Sequence, residues 1–163
     1  MNVTLQTLAG FPDQLDAHYA MIPERFKTWT PSSWEGIPSE RLTALEQIGH
    51  IRDVELDGYQ LRFRRALNEH HPFLPSLDTD ALAKTYVDLD AGRTLEHFRA
   101  ARAQTVAMLR SLDESQLSRT ADFEGYGPVT VRGLIHYLCS HDQQHLAGLQ
   151  WIMGKGTSCE IEK

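Results

Sequence analysis

The 163-residue chain reads as all-α: a four-helix bundle with one or two short extra helices in its connections, filling a single domain over residues 1–163. Three observations predict this class. Apolar residues recur at three- and four-residue steps in four long segments, Pro- and Gly-bearing stretches separate those segments, and no segment shows the sustained two-residue alternation of a half-buried strand.

The elements follow in order. Leu15, Tyr19, Ile22 and Phe26 make one face of a first helix opening near Pro12 and Asp13, with Leu5 and Leu8 in a short separate turn before it. Residues 28–38 hold two prolines, a glycine and two tryptophans, a loop with bulky anchors. Ser39 caps a second helix carrying Leu42, Leu45, Ile48, Ile51, Tyr59, Phe63 and Leu67, which stops before Pro72. Asp78 or Thr79 caps a short helical piece reaching Tyr86. A third long helix begins around Gly92 and carries Leu95, Phe98, Val106, Leu109 and Leu112. After a polar stretch broken at Gly125-Tyr126-Gly127-Pro128, Thr130 caps a fourth helix with Val131, Leu134, Ile135, Leu138, Leu149 and Ile152, ending near Gly154 or Gly156.

Composition narrows the function classes. Sixteen Lys and Arg against 22 Asp and Glu give a net charge of −6, which disfavours a nucleic-acid partner because phosphate binding needs a basic surface. At 41% hydrophobic and 23% charged residues the chain has the composition of a globular protein rather than a disordered one. Polar residues interrupt every apolar run before the ~20 needed to span a bilayer, so no membrane partner is expected. The first residues lack a charged segment followed by an apolar core, the pattern of a secretory signal. Cys139 and Cys159 make no disulfide framework, which agrees with a reducing cytoplasm.

Eight histidines are the unusual feature. His141 and His145 lie four positions apart on the fourth helix, and four steps of about 100° put both rings on one face. Leu134, Leu138 and Leu149 continue that face, so the pair points at the core, where neutral imidazoles need hydrogen-bond partners or a metal. His50 lies near the stripe of Leu45, Ile51 and Val54 and is the candidate third nitrogen ligand. Three histidines leave coordination positions open for water or substrate, as a catalytic metal requires. A helical pair at this spacing arises often by chance and, taken alone, more often marks packed histidines than a metal site; a core-facing His50 is what brings the metal reading level with that one. His18, His70, His71 and His97 lie on polar stretches and read as surface. His136, about 140° from His141, reads as a flanking residue, and Cys139 points away as a small buried hydrophobe.

Two carboxylates are candidates for acid–base work. Asp142 follows the first His of the pair, as Glu does in the His-Glu-x-x-His peptidase motif, but it is a methylene shorter and no third downstream ligand appears. It serves instead to orient a ring or move a proton. Glu55, five residues after His50, is the other candidate base, while Asp53 reads as part of a solvated acidic face. Trp29 and Trp34 either wall the pocket or anchor their loop.

The stretch Ile48-Gly49-His50-Ile51-Arg52-Asp53-Val54-Glu55 resembles the second-helix motif of the DinB-like (YfiT-like) superfamily of metal-dependent enzymes. Phe98-Arg99-Ala100-Ala101-Arg102 with Thr105 and Leu109 is similar to that family's third-helix signature. Gly127-Pro128-Val129-Thr130-Val131, leading to His141-Asp142-Gln143-Gln144-His145-Leu146, is similar to its fourth. The resemblance implies an up-down-down-up bundle, a homodimer, and a divalent ion, nickel or zinc, held by His50, His141 and His145. It departs from the family pattern after the last His-Leu, where Gly148 precedes Leu149 and Gln150. It further implies an enzyme acting on a small molecule, either a hydrolase or an S-transferase using a low-molecular-weight thiol. The alternative is a non-catalytic metal-binding or stress-response helical dimer.

Overall fold

The computed structural model describes residues 1–78, 81–82, 86 and 88–161, with side chains up to residue 158. Four long helical rods make the bundle. The first, α1 (Asn2–Met21), begins ten residues earlier than expected and absorbs Leu5 and Leu8 into its own buried face. Pro12 therefore sits inside a helix, where it cannot donate to the carbonyl of Leu8. Arg102 replaces that donor, its Nη1 lying 3.3 Å from the Leu8 oxygen. The helix ends where Pro23 forces Ile22 into extended backbone (φ −74°, ψ 119°), so Phe26 belongs to a separate short helix, α2 (Glu24–Lys27).

The second rod starts at Thr43 rather than Ser39. Thr43 accepts from the backbone N–H of Glu46 and Glu46 reaches back to the backbone N–H of Thr43, a reciprocal capping box that Ser39 cannot form. It comprises α3 (Ala44–Asp53), a π-helical turn (Val54–Tyr59) and α4 (Gln60–Asn68) without a break in helical backbone. The third rod, α5 (Ala91–Arg110), is capped by Asp90. Within the polar stretch, α6 (Glu114–Leu117) carries its own capping box from Asp113 and Gln116. The fourth rod, α7 (Val131–Ile161), starts where expected, Thr130 accepting from the Gly133 N–H, but runs past Gly154 and Gly156. Gly156 serves packing there: a Cβ would come 2.8 Å from the Phe26 ring. The expected piece between residues 78 and 86 falls mostly outside the described residues.

A small sheet was not expected. Phe73–Leu74 (β1), Thr120–Phe123 (β2) and Gly127–Thr130 (β3) pair in that order, β1 with β2 parallel and β2 with β3 antiparallel. Strands of two to four residues are too short to show a period in sequence.

The core is divided into two apolar halves. Leu8, Val54, Val106 and Leu138 belong to one, and Phe11, Ile51, Phe98 and Leu146 to the other. Between those levels every rod but the first contributes buried polar groups: His50 and Glu55, then Arg102, then Asp142 and His145. The candidate site residues His50, Glu55, Asp142 and His145 lie in this polar layer. Trp34 is buried with the second apolar half and Trp151 ties the same loop down by donating to the Ser33 carbonyl (2.8 Å), so the tryptophan loop is anchored.

Candidate metal centre

The α3 and α7 rods place three imidazoles tip to tip. His141 Nε2 lies 3.1 Å from His50 Nε2 and 3.2 Å from His145 Nε2, although His50 and His141 are 91 positions apart. Ligand atoms around a tetrahedral ion with bonds of about 2.0–2.1 Å would stand roughly 3.3 Å apart. Glu40, in the connection before α3, brings its carboxylate to 3.3 Å from His145 Nε2 and 3.8 Å from His50 Nε2. One ligand atom from each of these four residues lies within 4.8 Å of every other.

Electrostatics keep the rings neutral, the form that binds metal. Burial lowers the His141 pKa to about 3, and nearby His50, Arg102 and Arg62 push it the same way. Burial likewise holds His145 well below the ordinary imidazole value, with His141 and His50 adding to the effect. His50 is lowered by burial against the opposing pull of Glu40 and Asp53. Gln47, one turn before His50, sets the tautomer of His145. Its amide nitrogen donates to the Leu42 carbonyl at 3.4 Å, leaving Oε1 to accept from His145 Nδ1 at 3.3 Å. The lone pair of His145 is thereby left on Nε2, facing the other two rings. His141 Nδ1 is buried without a partner. This donor set of converging neutral nitrogens with one adjacent carboxylate fits a divalent cation.

Glu55 and Asp142 lie in the same polar layer on a different partner. Arg102 holds Asp142 bidentately, at 2.6 and 3.0 Å, and Glu55 through Nε and Nη2, at 3.1 and 2.9 Å. All three side chains are at most 1% exposed. Burial alone would pull the Arg102 pKa down, but Asp142 and Glu55 overcome it and hold the guanidinium charged. Burial pushes Asp142 up to about 6, while the bidentate hydrogen bonds from Arg102 oppose that shift and favour the ionised carboxylate. Among the described residues neither carboxylate hydrogen-bonds a histidine of the cluster.

Sequence reasoning missed Glu40, Gln47 and the role of Arg102. Glu40 is half-exposed on a connection, with no periodicity to mark it. Gln47 and Arg102 did carry a signal, being polar residues on otherwise apolar stripes. Asp53, expected in solvent, is buried with Arg52 Nε at 2.6 Å. His70, His71 and His97 are exposed as read; His136, read as flanking the pair, is also exposed; His18, read as surface, is half-buried against the Gln14 carbonyl, and Cys139 is half-buried against the core.

A four-helix bundle whose second and fourth rods meet in a His/Glu cluster defines a class of bundle built around a candidate metal site. The chain belongs to the DinB superfamily, whose family model matches residues 14–149. Among solved structures it is similar to YfiT from Bacillus subtilis, described as a probable metal-dependent hydrolase with an unusual four-helix bundle topology. The likeness has a TM-score of 0.80 at 20% identity, covering 93% of this chain and 84% of that one, and speaks for the fold. No curated protein matches the chain. No described helix is long and apolar enough to cross a membrane.

Proposed function

We propose that this chain is a metal-dependent hydrolase of small molecules, with His50, His141 and His145 holding a divalent ion such as zinc or nickel. The observation that carries this reading is the convergence of three neutral Nε2 atoms, one with its tautomer fixed by Gln47. A divalent ion held there would lower the pKa of water toward about 7 and would favour a thiolate in the same way. The chain's own groups do the rest. Glu40, its side chain 43% exposed beside His145, is the carboxylate placed to accept a proton at the cluster. Glu55 and Asp142, locked on Arg102, position α7 and its two histidines. A cavity of about 160 Å³, lined by Glu40, His50, His141, Tyr59 and Tyr126 among others, admits a small substrate.

Metal analysis of protein purified after growth with zinc and nickel is expected to find one ion per chain, lost in His50→Ala and His145→Ala. A screen of ester and amide substrates is then expected to find turnover that Glu40→Gln reduces by about 10²–10⁴-fold with metal content retained. Wild-type protein that takes up no metal sinks the proposal. Turnover only in a parallel arm pairing low-molecular-weight thiols with electrophiles replaces hydrolysis with S-transfer. Silence in both arms leaves a metal-binding bundle without turnover.

A further inference from the structure

Among the described residues, Arg62 differs from Arg102, the other deeply buried cation. Arg102 has two carboxylates, whereas Arg62, only 6% exposed, has no carboxylate partner among the described residues. Its Nη2 donates to the Pro75 carbonyl at 3.2 Å, and its Nε is buried with no partner at all. The remaining support is aromatic: the guanidinium carbon lies 4.5 Å from the Phe123 ring centre and 5.1 Å from that of Tyr59. Burial accordingly pulls its pKa below the ordinary arginine value. Room for the group is made by Gly58, where a Cβ would come 2.9 Å from Nη1.

A guanidinium offers five donors in a planar fork, and burying one without a counter-charge is costly unless an anion completes it. Arg62 also lines the cavity that contains Glu40, His50 and His141. In a chain of net charge −6, that cavity therefore holds a fixed positive group close to the histidine cluster. We propose that Arg62 binds an anionic group, a carboxylate or phosphate, on a small substrate whose reacting bond lies at the histidines. The proposal rests on the metal-site reading above and gives that site a substrate class.

Calorimetric titration of the zinc-loaded protein with benzoate, phenyl phosphate and neutral benzamide tests it. One or both anions are expected to bind about ten- to a hundred-fold more tightly than benzamide, and the stronger of the two identifies the acid group. Arg62→Gln is expected to abolish the preference while zinc content stays at the wild-type level. Arg62→Lys keeps the charge but loses the fork, so it is expected to weaken anion binding and to serve if Arg62→Gln does not fold. Benzamide binding as tightly as both anions overturns the proposal. So does an Arg62→Gln or Arg62→Lys protein with lowered Tm and unchanged anion binding, the result for an arginine that merely packs on Phe123 and Tyr59. Failure of the metal reading looks different: wild-type protein takes up no zinc, and the anion titration on metal-free protein still reports on Arg62 alone.

Discussion

Gly148 and Gln47 meet where α7 packs against α3, just past the His145-Leu146 step. A Cβ at position 148 would lie 2.6 Å from Ser39 Oγ and 2.7 Å from Gln47 Oε1, so only glycine leaves the amide where it stands. That amide is what orients His145. Outer partners of metal-binding histidines typically account for 10–100-fold in affinity. Gln47→Leu is therefore expected to weaken zinc binding by about that factor in competition with a chelator, and Gly148→Ala to act in the same direction by displacing the amide. Unchanged affinity in both would remove Gln47 from the site.

Arg102 joins three helices at one atom group. It bonds Glu55 on the π-helical turn, Asp142 on α7 and the Leu8 carbonyl that Pro12 leaves open on α1. π-Helical turns occur frequently at functional sites, and this one buries Glu55, Gly58 and Tyr59 together, beside both the arginine layer and the cavity. Removing one partner from a buried ion network leaves uncompensated charge and typically costs about 3–5 kcal/mol. Arg102→Met is expected to lose roughly that much in urea unfolding. Combining it with Glu55→Gln and Asp142→Asn is expected to recover part of the loss, because the stranded charges go with the arginine. Additive losses across the three changes would show that the groups do not act as a unit.

Across the whole molecule, the cluster ties the second rod to the fourth, so a cation bound there favours the folded chain over the unfolded one. At a free concentration about a hundred times its Kd such a ligand adds about 2.7 kcal/mol, or a Tm rise of roughly 5–10 °C at this size. Zinc is expected to raise the Tm of wild-type protein and to leave that of His50→Ala unchanged, as read by differential scanning calorimetry. Legibility in the sequence followed periodicity. The four rods and the His141–His145 pair were readable because a helix repeats every 3.6 residues and places i and i+4 on one face. The start of α1 escapes local spacing because Pro12 reads as a helix opening while the donor to the Leu8 carbonyl comes from Arg102, 94 positions away, and the sheet escapes it because strands of two to four residues hold too few alternations to stand out. The sequence by itself determined the all-α class, the four apolar stripes and which histidines face inward, since these are properties of local spacing. Only the tertiary structure decided that Glu40 joins the histidines, that Glu55 and Asp142 go to Arg102, and that Arg62 has no carboxylate partner among the described residues. Those pairings join side chains tens of positions apart, and which charge meets which is fixed by how the rods pack.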